Sequence, residues 1–260
     1  MSKLSQDLAN IALLNSARAL DLAGVQAAVK KGANLNYHDK SGDTALILSA
    51  RTGHEQIFNF LATKGAAADF PNELGNDALM ESIIAGKAPF AQKSLTAAFN
   101  TARENHKGET ALLLAAKHDA PKLIAPLLAK GYNPDQRDEN GATVLMLAEQ
   151  AGDTKTFRLL LAREDVDLEA EDKDGRTVLM RALNSGHRET AEALLKAGAY
   201  VKHSDNRGRD VMQMARQTGM EDLVKAAFEN YDIKRLTEGT TRSVSVLKRI
   251  HLKTPPSAGQ

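Results

Sequence analysis

Glycine recurs along this chain at a nearly constant spacing. The intervals are 33, 33, 33, 34 and 33 residues, and the series is Gly42, Gly75, Gly108, Gly141, Gly175 and Gly208. Each of these glycines is followed two residues later by Thr or Asp and preceded three residues earlier by Asp or Asn. A period of this length indicates an array in which one small structural unit is stacked on the next. The array, rather than a large globular core, therefore determines what the chain can fold into.

The composition agrees with stacked thin helices, because aromatic residues make up only 4% of the chain and Trp is absent. The formal net charge is +1. A nucleic-acid partner is not expected, since phosphate binding needs a concentrated basic face. The chain has no Cys, which excludes disulfides, thiol nucleophiles and Cys-ligated zinc.

No apolar run approaches the ~20 residues of a membrane-spanning helix. The first residues do not resemble a secretion signal, because Asp7 and Asn10 interrupt any apolar stretch. As the sequence stands, we expect a soluble protein of the cytoplasm. A periplasmic location stays open if Met1 replaces a removed signal peptide.

One repeat shows how the local sequence favours two helices. Thr110 is a good N-cap for a helix whose apolar residues recur every three to four positions from Leu112. Pro121 then lies near the start of a second helix, where its missing N–H costs nothing. The following stretch is polar and ends in a tight turn at Gly141, for which glycine supplies the backbone freedom.

This unit resembles the ankyrin repeat, whose pattern is D-x-x-G-x-T-P-L-H-x-A-A-x-x-G-H…L-L-x-x-G-A-x-x-N. The resemblance implies an all-α solenoid of stacked helix–turn–helix units with finger-like hairpin loops. We expect a partial starting unit at about 11–38, six repeats to about 231, and a basic tail or cap at 232–260. In that tail, six residues are basic and two are acidic.

The repeats depart from the family pattern at two of its positions. Pro is missing from the T-P-L-H position throughout, and the His position is apolar in five of the six repeats. We therefore expect packing to replace the polar network that usually ties neighbouring repeats. His54 and His187 stand at the Gly-His position and are expected to be structural.

The second repeat is the most divergent, because Ser94 occupies a position where Leu is expected and its second helix is predicted to run past Phe99 towards Ala102. This divergence fits either sequence drift or a functional site. The segment from Arg242 to Lys253 is basic and partly apolar. It is expected to cap the array, with a solvated tail, a partner-binding segment and an anchor for an acidic surface as alternatives.

We expect no catalysis, cofactor, metal or small-molecule substrate. The seven His are scattered, and the chain has no H-E-x-x-H motif, no G-x-S-x-G motif and no glycine-rich phosphate loop.

Binding in this family uses fingertips and first helices, so the resemblance assigns recognition to the positions that do not hold the stack. These positions include the residue after each turn glycine, such as Asp43, Asn76 and Glu109. The candidate partner-binding residues are Tyr37, His38, Lys40, Arg51, Phe70, Leu74, Ile84, Arg103, His106, Lys107, Lys117 and Arg137.

Four of the candidates form a predicted apolar cluster: Tyr37, Phe70, Leu74 and Ile84. Grouped exposed apolar residues mark interaction sites more often than scattered ones do. The alternative is that Leu74 and Ile84 turn inward to fill the space left by Ser94.

A chain that is almost entirely scaffold is expected to act stoichiometrically. The first hypothesis is a monomer that binds and occludes a folded partner protein, as an inhibitor or self-protection protein. Bacterial ankyrin proteins that block a cell-wall peptidase are similar in general appearance. The alternatives are an adaptor that holds a disordered peptide in the concave groove, or anchoring by the tail, which salt would weaken.

Overall fold

The computed structural model describes residues 2–95, 102–118 and 120–237, with side chains described as far as residue 229. In this part of the chain the secondary structure is helical, apart from two isolated antiparallel bridges, His38–Thr44 and Ser204–Asp210. The predicted continuation of the second repeat's helix falls on 96–101, and the basic segment from Arg242 to Lys253 also lies outside the described residues.

Fourteen helices follow one another in this described part. They are α1 (Lys3–Arg18), α2 (Leu22–Lys30), α3 (Ala45–Thr52), α4 (Glu55–Thr63), α5 (Ala78–Ile84), α6 (Ala88–Ser94), α7 (Ala111–Lys117), α8 (Pro121–Ala129), α9 (Val144–Ala151), α10 (Thr154–Leu161), α11 (Val178–Ser185), α12 (Arg188–Lys196), α13 (Val211–Gln217) and α14 (Glu221–Thr237). The prediction of an all-α repeat fold is confirmed.

The chain divides into two compact parts, residues up to 173 and residues from 174 onwards. In the N-terminal part, the helices form the pairs α1/α2, α3/α4, α5/α6, α7/α8 and α9/α10. The first helices of consecutive pairs pack on one another, from α1 through α3, α5 and α7 to α9. In the C-terminal part, α11 pairs with α12 and α13 with α14.

The first helices begin where the sequence predicts, because a side chain caps each one. Thr44, Thr110 and Thr143 accept a hydrogen bond from the third residue of α3, α7 and α9, and Asp77 does the same for α5. An N-cap of this kind stabilises a helix by about 1 kcal/mol. His54 has the predicted structural role, since its Nδ1 accepts from the Ile57 amide at 3.3 Å at the start of α4.

The apolar face of each first helix is fully buried between its neighbours. Leu46 and Ile47 of α3, Leu79 of α5 and Leu112 and Leu113 of α7 are at most 1% exposed. Burial of each such side chain contributes roughly 1.5–3 kcal/mol. This apolar stack fixes the position of the loops that connect one pair to the next.

The starting unit is longer than the expected span of about 11–38. Its first helix begins at Lys3 and has 16 residues, and a complete second helix follows it. At the other end, α14 extends to Thr237, past the predicted end of the last repeat.

Candidate functional site

The polar loops that precede the first helices form hairpin fingers. We number them by their turn glycines: finger 1 around Gly42, finger 2 around Gly75, finger 3 around Gly108 and finger 4 around Gly141. These glycines have φ angles of +72° to +79°, in the left-handed region that glycine adopts most readily. At Gly42 the need is also steric, since a Cβ there would lie 2.6 Å from the backbone nitrogen of Glu73.

Backbone hydrogen bonds join neighbouring fingers into what we call the finger ladder. The Glu73 amide donates to the Ser41 carbonyl at 3.0 Å, and the His106 amide donates to the Leu74 carbonyl at 3.0 Å. Finger 2 is therefore held by backbone hydrogen bonds on both sides, and fingers 1 and 3 are each joined to it on one side.

Beneath these tips, eight polar side chains form a hydrogen-bonded chain that we call the polar clamp. Its members are Asp43, Arg51, Asn72, Asn76, Glu81, Asn105, Glu109 and Lys117. Arg51 begins the chain by donating to the Asp43 carboxylate at 2.6 and 2.8 Å and to Glu81 at 2.9 Å. Because Glu81 lies on α5, this cation ties the first repeat to the second.

The amide side chains of the fingers continue the clamp. Asn72 Nδ2 donates to Asp43 Oδ1 at 3.1 Å and to Glu81 Oε1 at 2.9 Å. One repeat later, Asn105 Nδ2 donates to Asn76 Oδ1 at 3.0 Å and to Glu109 Oε2 at 2.9 Å. Asn72 thus links finger 2 to finger 1, and Asn105, at the equivalent position, links finger 3 to finger 2.

The far end of the clamp is an ion pair between Lys117 and Glu109, with Nζ and Oε1 2.6 Å apart. The Glu109 side chain is 5% exposed and the Lys117 side chain 41% exposed. Burial alone would raise the pKa of Glu109, but hydrogen bonds from Asn105 and Lys117 outweigh it and the pKa is lowered. For Lys117, the hydrogen bond to Glu109 raises the pKa.

The clamp corrects two predictions from the sequence. Packing does not replace the polar network in the first three repeats, because a different set of polar side chains ties them together. The residues after the turn glycines are not free for recognition there, since Asp43, Asn76 and Glu109 are at most 4% exposed and belong to the clamp. The family pattern did not identify Glu81, which stands where other repeats have Leu48, Leu114 and Leu147. A charged residue at an apolar framework position was the signal that could have found it.

Three predicted residues lie together at the N-terminal end. Tyr37, His38 and Lys40 of finger 1 line a shallow groove of about 380 Å³, whose other wall includes Ile11 and Leu14 of α1. An ion pair between Arg18 and Asp39 also borders this groove.

The predicted apolar cluster is partly exposed. Leu74 is 63% exposed at the tip of finger 2, so the interpretation that it fills space near Ser94 is wrong. Phe70 is half-buried and its ring lies 5.8 Å from the His38 ring, which connects fingers 1 and 2. Tyr37 and Ile84 are half-buried.

The remaining candidates differ in their exposure and in whether other residues of the chain already bind them. His106 and Lys107 are exposed at the tip of finger 3, whereas Arg51 and Lys117 are engaged in the clamp. Arg137 donates to the Glu171 carbonyl at 2.7 Å. Arg103 is half-buried, and its Nε has no hydrogen-bond partner among the described residues.

Sequence reasoning also missed an apolar stripe on α1. Leu4, Leu8 and Ile11 are 71%, 62% and 47% exposed. Their spacing of four and three residues places them on one helix face, which is the signal that could have identified the stripe.

The described residues contain no group of three or more His, Asp or Glu side chains arranged to hold a metal ion. No helix among them is both long and apolar enough to cross a membrane.

Comparison with protein families identifies a matching family model. The family model described as "Ankyrin repeats (3 copies)" matches residues 10–99, 87–168 and 112–205, overlapping segments that span most of the chain. No curated protein matches the sequence.

Proposed function

Because this chain belongs to the ankyrin repeat family, whose repeats generally mediate protein–protein interaction, we propose that it binds and occludes a folded partner protein. The proposal extends to a role as a stoichiometric inhibitor or self-protection protein, with an enzyme such as a peptidase as the partner. The binding surface is centred on the tips of fingers 1 to 3, and the twelve candidate residues lie on these fingers, on the first helices α3, α5 and α7 and, for Arg137, on finger 4.

The observation that carries the proposal is the rigid presentation of Leu74. Its amide donates to Asn72 Oδ1 at 3.0 Å, and its carbonyl accepts from His106 at 3.0 Å. A large apolar side chain that is 63% exposed on such a backbone loses little conformational entropy on binding. Pre-organised surfaces of this kind favour rigid-body docking to a folded partner.

The charged residues around Leu74 suit a partner surface that has an apolar centre and charged groups around it. Lys40 and Lys107 are exposed at the tips of fingers 1 and 3, and Glu73 is exposed beside Leu74. An apolar anchor with a polar rim is the usual arrangement at the centre of a protein interface.

The test is affinity capture from an extract of the native source, followed by identification of the captured proteins by mass spectrometry. Three immobilised forms are compared: the unmodified chain, Leu74→Ala and the matched control Leu159→Ala. Leu159 is another exposed leucine, 36% exposed on α10. We expect one protein to be retained by the unmodified chain and by Leu159→Ala, and to bind Leu74→Ala about tenfold more weakly.

A second arm tests whether the partner is folded. The extract is boiled and cleared before capture, which removes folded proteins and leaves disordered ones in solution. Loss of the partner after boiling supports occlusion, and the partner's enzymatic activity should then fall when the chain is added. Capture that survives boiling would favour the adaptor alternative and contradict the proposal.

A further inference from the structure

The finger ladder is interrupted at one junction of the N-terminal part. Finger 1 joins finger 2 through Ser41, finger 2 joins finger 3 through Leu74, and finger 4 accepts at the Asn140 carbonyl from the Lys173 amide at 2.9 Å. The equivalent pair between fingers 3 and 4 is the Glu139 amide and the Lys107 carbonyl. Among the described residues, no hydrogen bond joins these two groups.

The spacing of the fingers shows the same interruption. A Cβ on Gly75 would lie 2.9 Å from the next finger, at the Asn105 Cα, and one on Gly141 would lie 3.0 Å from the Lys173 nitrogen. At Gly108 the nearest atom is the Arg137 carbonyl oxygen at 3.8 Å, and the Glu139 nitrogen is 4.0 Å away. Fingers 3 and 4 therefore lie farther apart than the fingers on either side of them.

The polar clamp ends at this junction for a chemical reason. Asp138 occupies in finger 4 the position that Asn72 and Asn105 occupy in fingers 2 and 3. The two asparagines donate through Nδ2 to the preceding finger, whereas an ionised carboxylate only accepts. Asp138 cannot donate to Glu109, and both carboxylates instead face the Lys117 cation, whose pKa the hydrogen bond to Glu109 and the charges of Asp138 and Glu139 raise.

The helices remain packed across the junction. Helix α7 contacts α9 and helix α8 contacts α10, and Gln136 donates an exposed side-chain hydrogen bond to Glu104. The apolar stack is thus continuous there, while the clamp and the ladder bond are both missing.

We propose that the junction between fingers 3 and 4 is a joint. About this joint, finger 4 with α9 and α10 moves relative to a block that runs from finger 1 to α8, in which the clamp extends to α7 and α8 packs against α7. The proposal concerns motion within the free chain and does not depend on the proposed function. Motion would let finger 4 adjust to a partner that has already bound to the fixed tips of fingers 1 to 3.

The test of the joint is the distance between two spin labels, measured by pulsed electron–electron double resonance. Labels attached to introduced Cys residues are specific, because the chain has no native Cys. Four equivalent exposed positions lie on the second helices: Asn59 on α4, Gln92 on α6, Ala125 on α8 and Arg158 on α10. The pair Asn59→Cys/Ala125→Cys lies within the block, and the pair Gln92→Cys/Arg158→Cys crosses the joint. Each pair spans two repeats.

We expect the distance distribution of the crossing pair to be about twice as wide as that of the pair within the block. Asp138→Asn supplies the missing donor and should narrow the distribution of the crossing pair only. Asp7→Asn, which removes an exposed carboxylate on α1, controls for the change in net charge and should alter neither pair. Equal widths in the unmodified chain, or a crossing pair that Asp138→Asn leaves unchanged, would overturn the proposal.

Discussion

Asp77 illustrates how one residue can oppose the stability of its own repeat. Four of the six repeats have Thr at this position, and Asp77 keeps the capping role by accepting from the Met80 amide at 2.9 Å. The residue is 1% exposed. Burial raises the pKa of its carboxyl to about 6, against the lowering effects of the Met80 amide and the Arg103 charge.

A raised pKa has a definite effect on stability. The unfolded chain releases this proton near the ordinary carboxyl pKa of 3.8, and the folded chain releases it near 6. Stability contributed by the protonated form is therefore complete below about pH 4 and is lost as the pH rises through 6. Each pKa unit corresponds to about 1.4 kcal/mol.

The first prediction concerns Asp77→Asn, which keeps the capping oxygen and removes the buried charge. We expect the variant to be more stable than the unmodified chain by about 2 kcal/mol at pH 7 and by much less at pH 4. Urea unfolding at both pH values measures the difference. Asp210→Asn, at the cap of the less buried α13, is the control. An Asp77→Asn variant that is equally or less stable at pH 7 would mean that the carboxylate is compensated in the fold.

At the level of structural elements, the clamp converts three neighbouring repeats into one block. Arg51 is the residue that joins α3 to α5, because it bonds both Asp43 in the first repeat and Glu81 in the second. Side chains of both carboxylates are at most 7% exposed. Burial would raise the pKa of Glu81, but hydrogen bonds from Arg51 and Asn76 lower it below its ordinary value.

The second prediction is that Arg51→Ala destabilises the fold by about 2 kcal/mol, because it leaves two buried carboxylates without their cation. The exposed pair Lys93–Glu55, with side chains 68% and 47% exposed, provides the control Lys93→Ala. That change should cost less than about 1 kcal/mol. Thermal unfolding at pH 7 compares the two variants.

The pH dependence of Arg51→Ala adds a second readout. The stabilising contribution of Glu81 is present above its unfolded pKa and is lost as the pH falls through its lowered folded value. The cost of Arg51→Ala should therefore shrink in acid. A cost that does not depend on pH would assign the effect to lost packing of the arginine stem.

The contrast between helices and clamp explains what the sequence could predict. Capping residues such as Thr110 and the apolar spacing from Leu112 are local signals, so the first helices and fingers follow from them. The clamp depends on which side chains face each other across repeats. Asn72 and Asp138 occupy the same position in a 33-residue pattern. An amide there becomes a link, and a carboxylate a break, only because carboxylates of the neighbouring repeat lie within reach, which the pattern does not show.

The candidate site was predictable to a similar extent. The exposure of Leu74 and Lys107 follows from their positions at fingertips. The ion pairs of Arg51 and Lys117 do not follow from the pattern, because their acidic partners lie in loops eight residues earlier. Arg51 has a second acidic partner on the next repeat. The family pattern has no partner-binding position on the outer face of α1, so Leu8 was not among the predicted candidate residues.

At the level of the whole molecule, the two compact parts differ in size. The N-terminal part contains ten helices and the polar clamp, and the C-terminal part contains four helices in its described residues. Stability in repeat arrays is approximately a sum of terms from each repeat and from each interface. A smaller body also buries a smaller fraction of its surface.

The last prediction is that the two parts unfold at different denaturant concentrations. Because the chain has no Trp, a single Trp can report on either part. Phe60 on α4 and Phe228 on α14 are matched sites, since both are half-buried and each has a lysine Nζ over its ring, at 5.8 and 5.9 Å. In urea, the fluorescence of Phe228→Trp should change at a midpoint about 1 M lower than that of Phe60→Trp. Far-ultraviolet circular dichroism of both variants should then show two steps rather than one. Coincident midpoints with a single circular-dichroism transition would instead show that the whole chain unfolds as one cooperative body, in which case the clamp would stabilise the C-terminal repeats as much as its own.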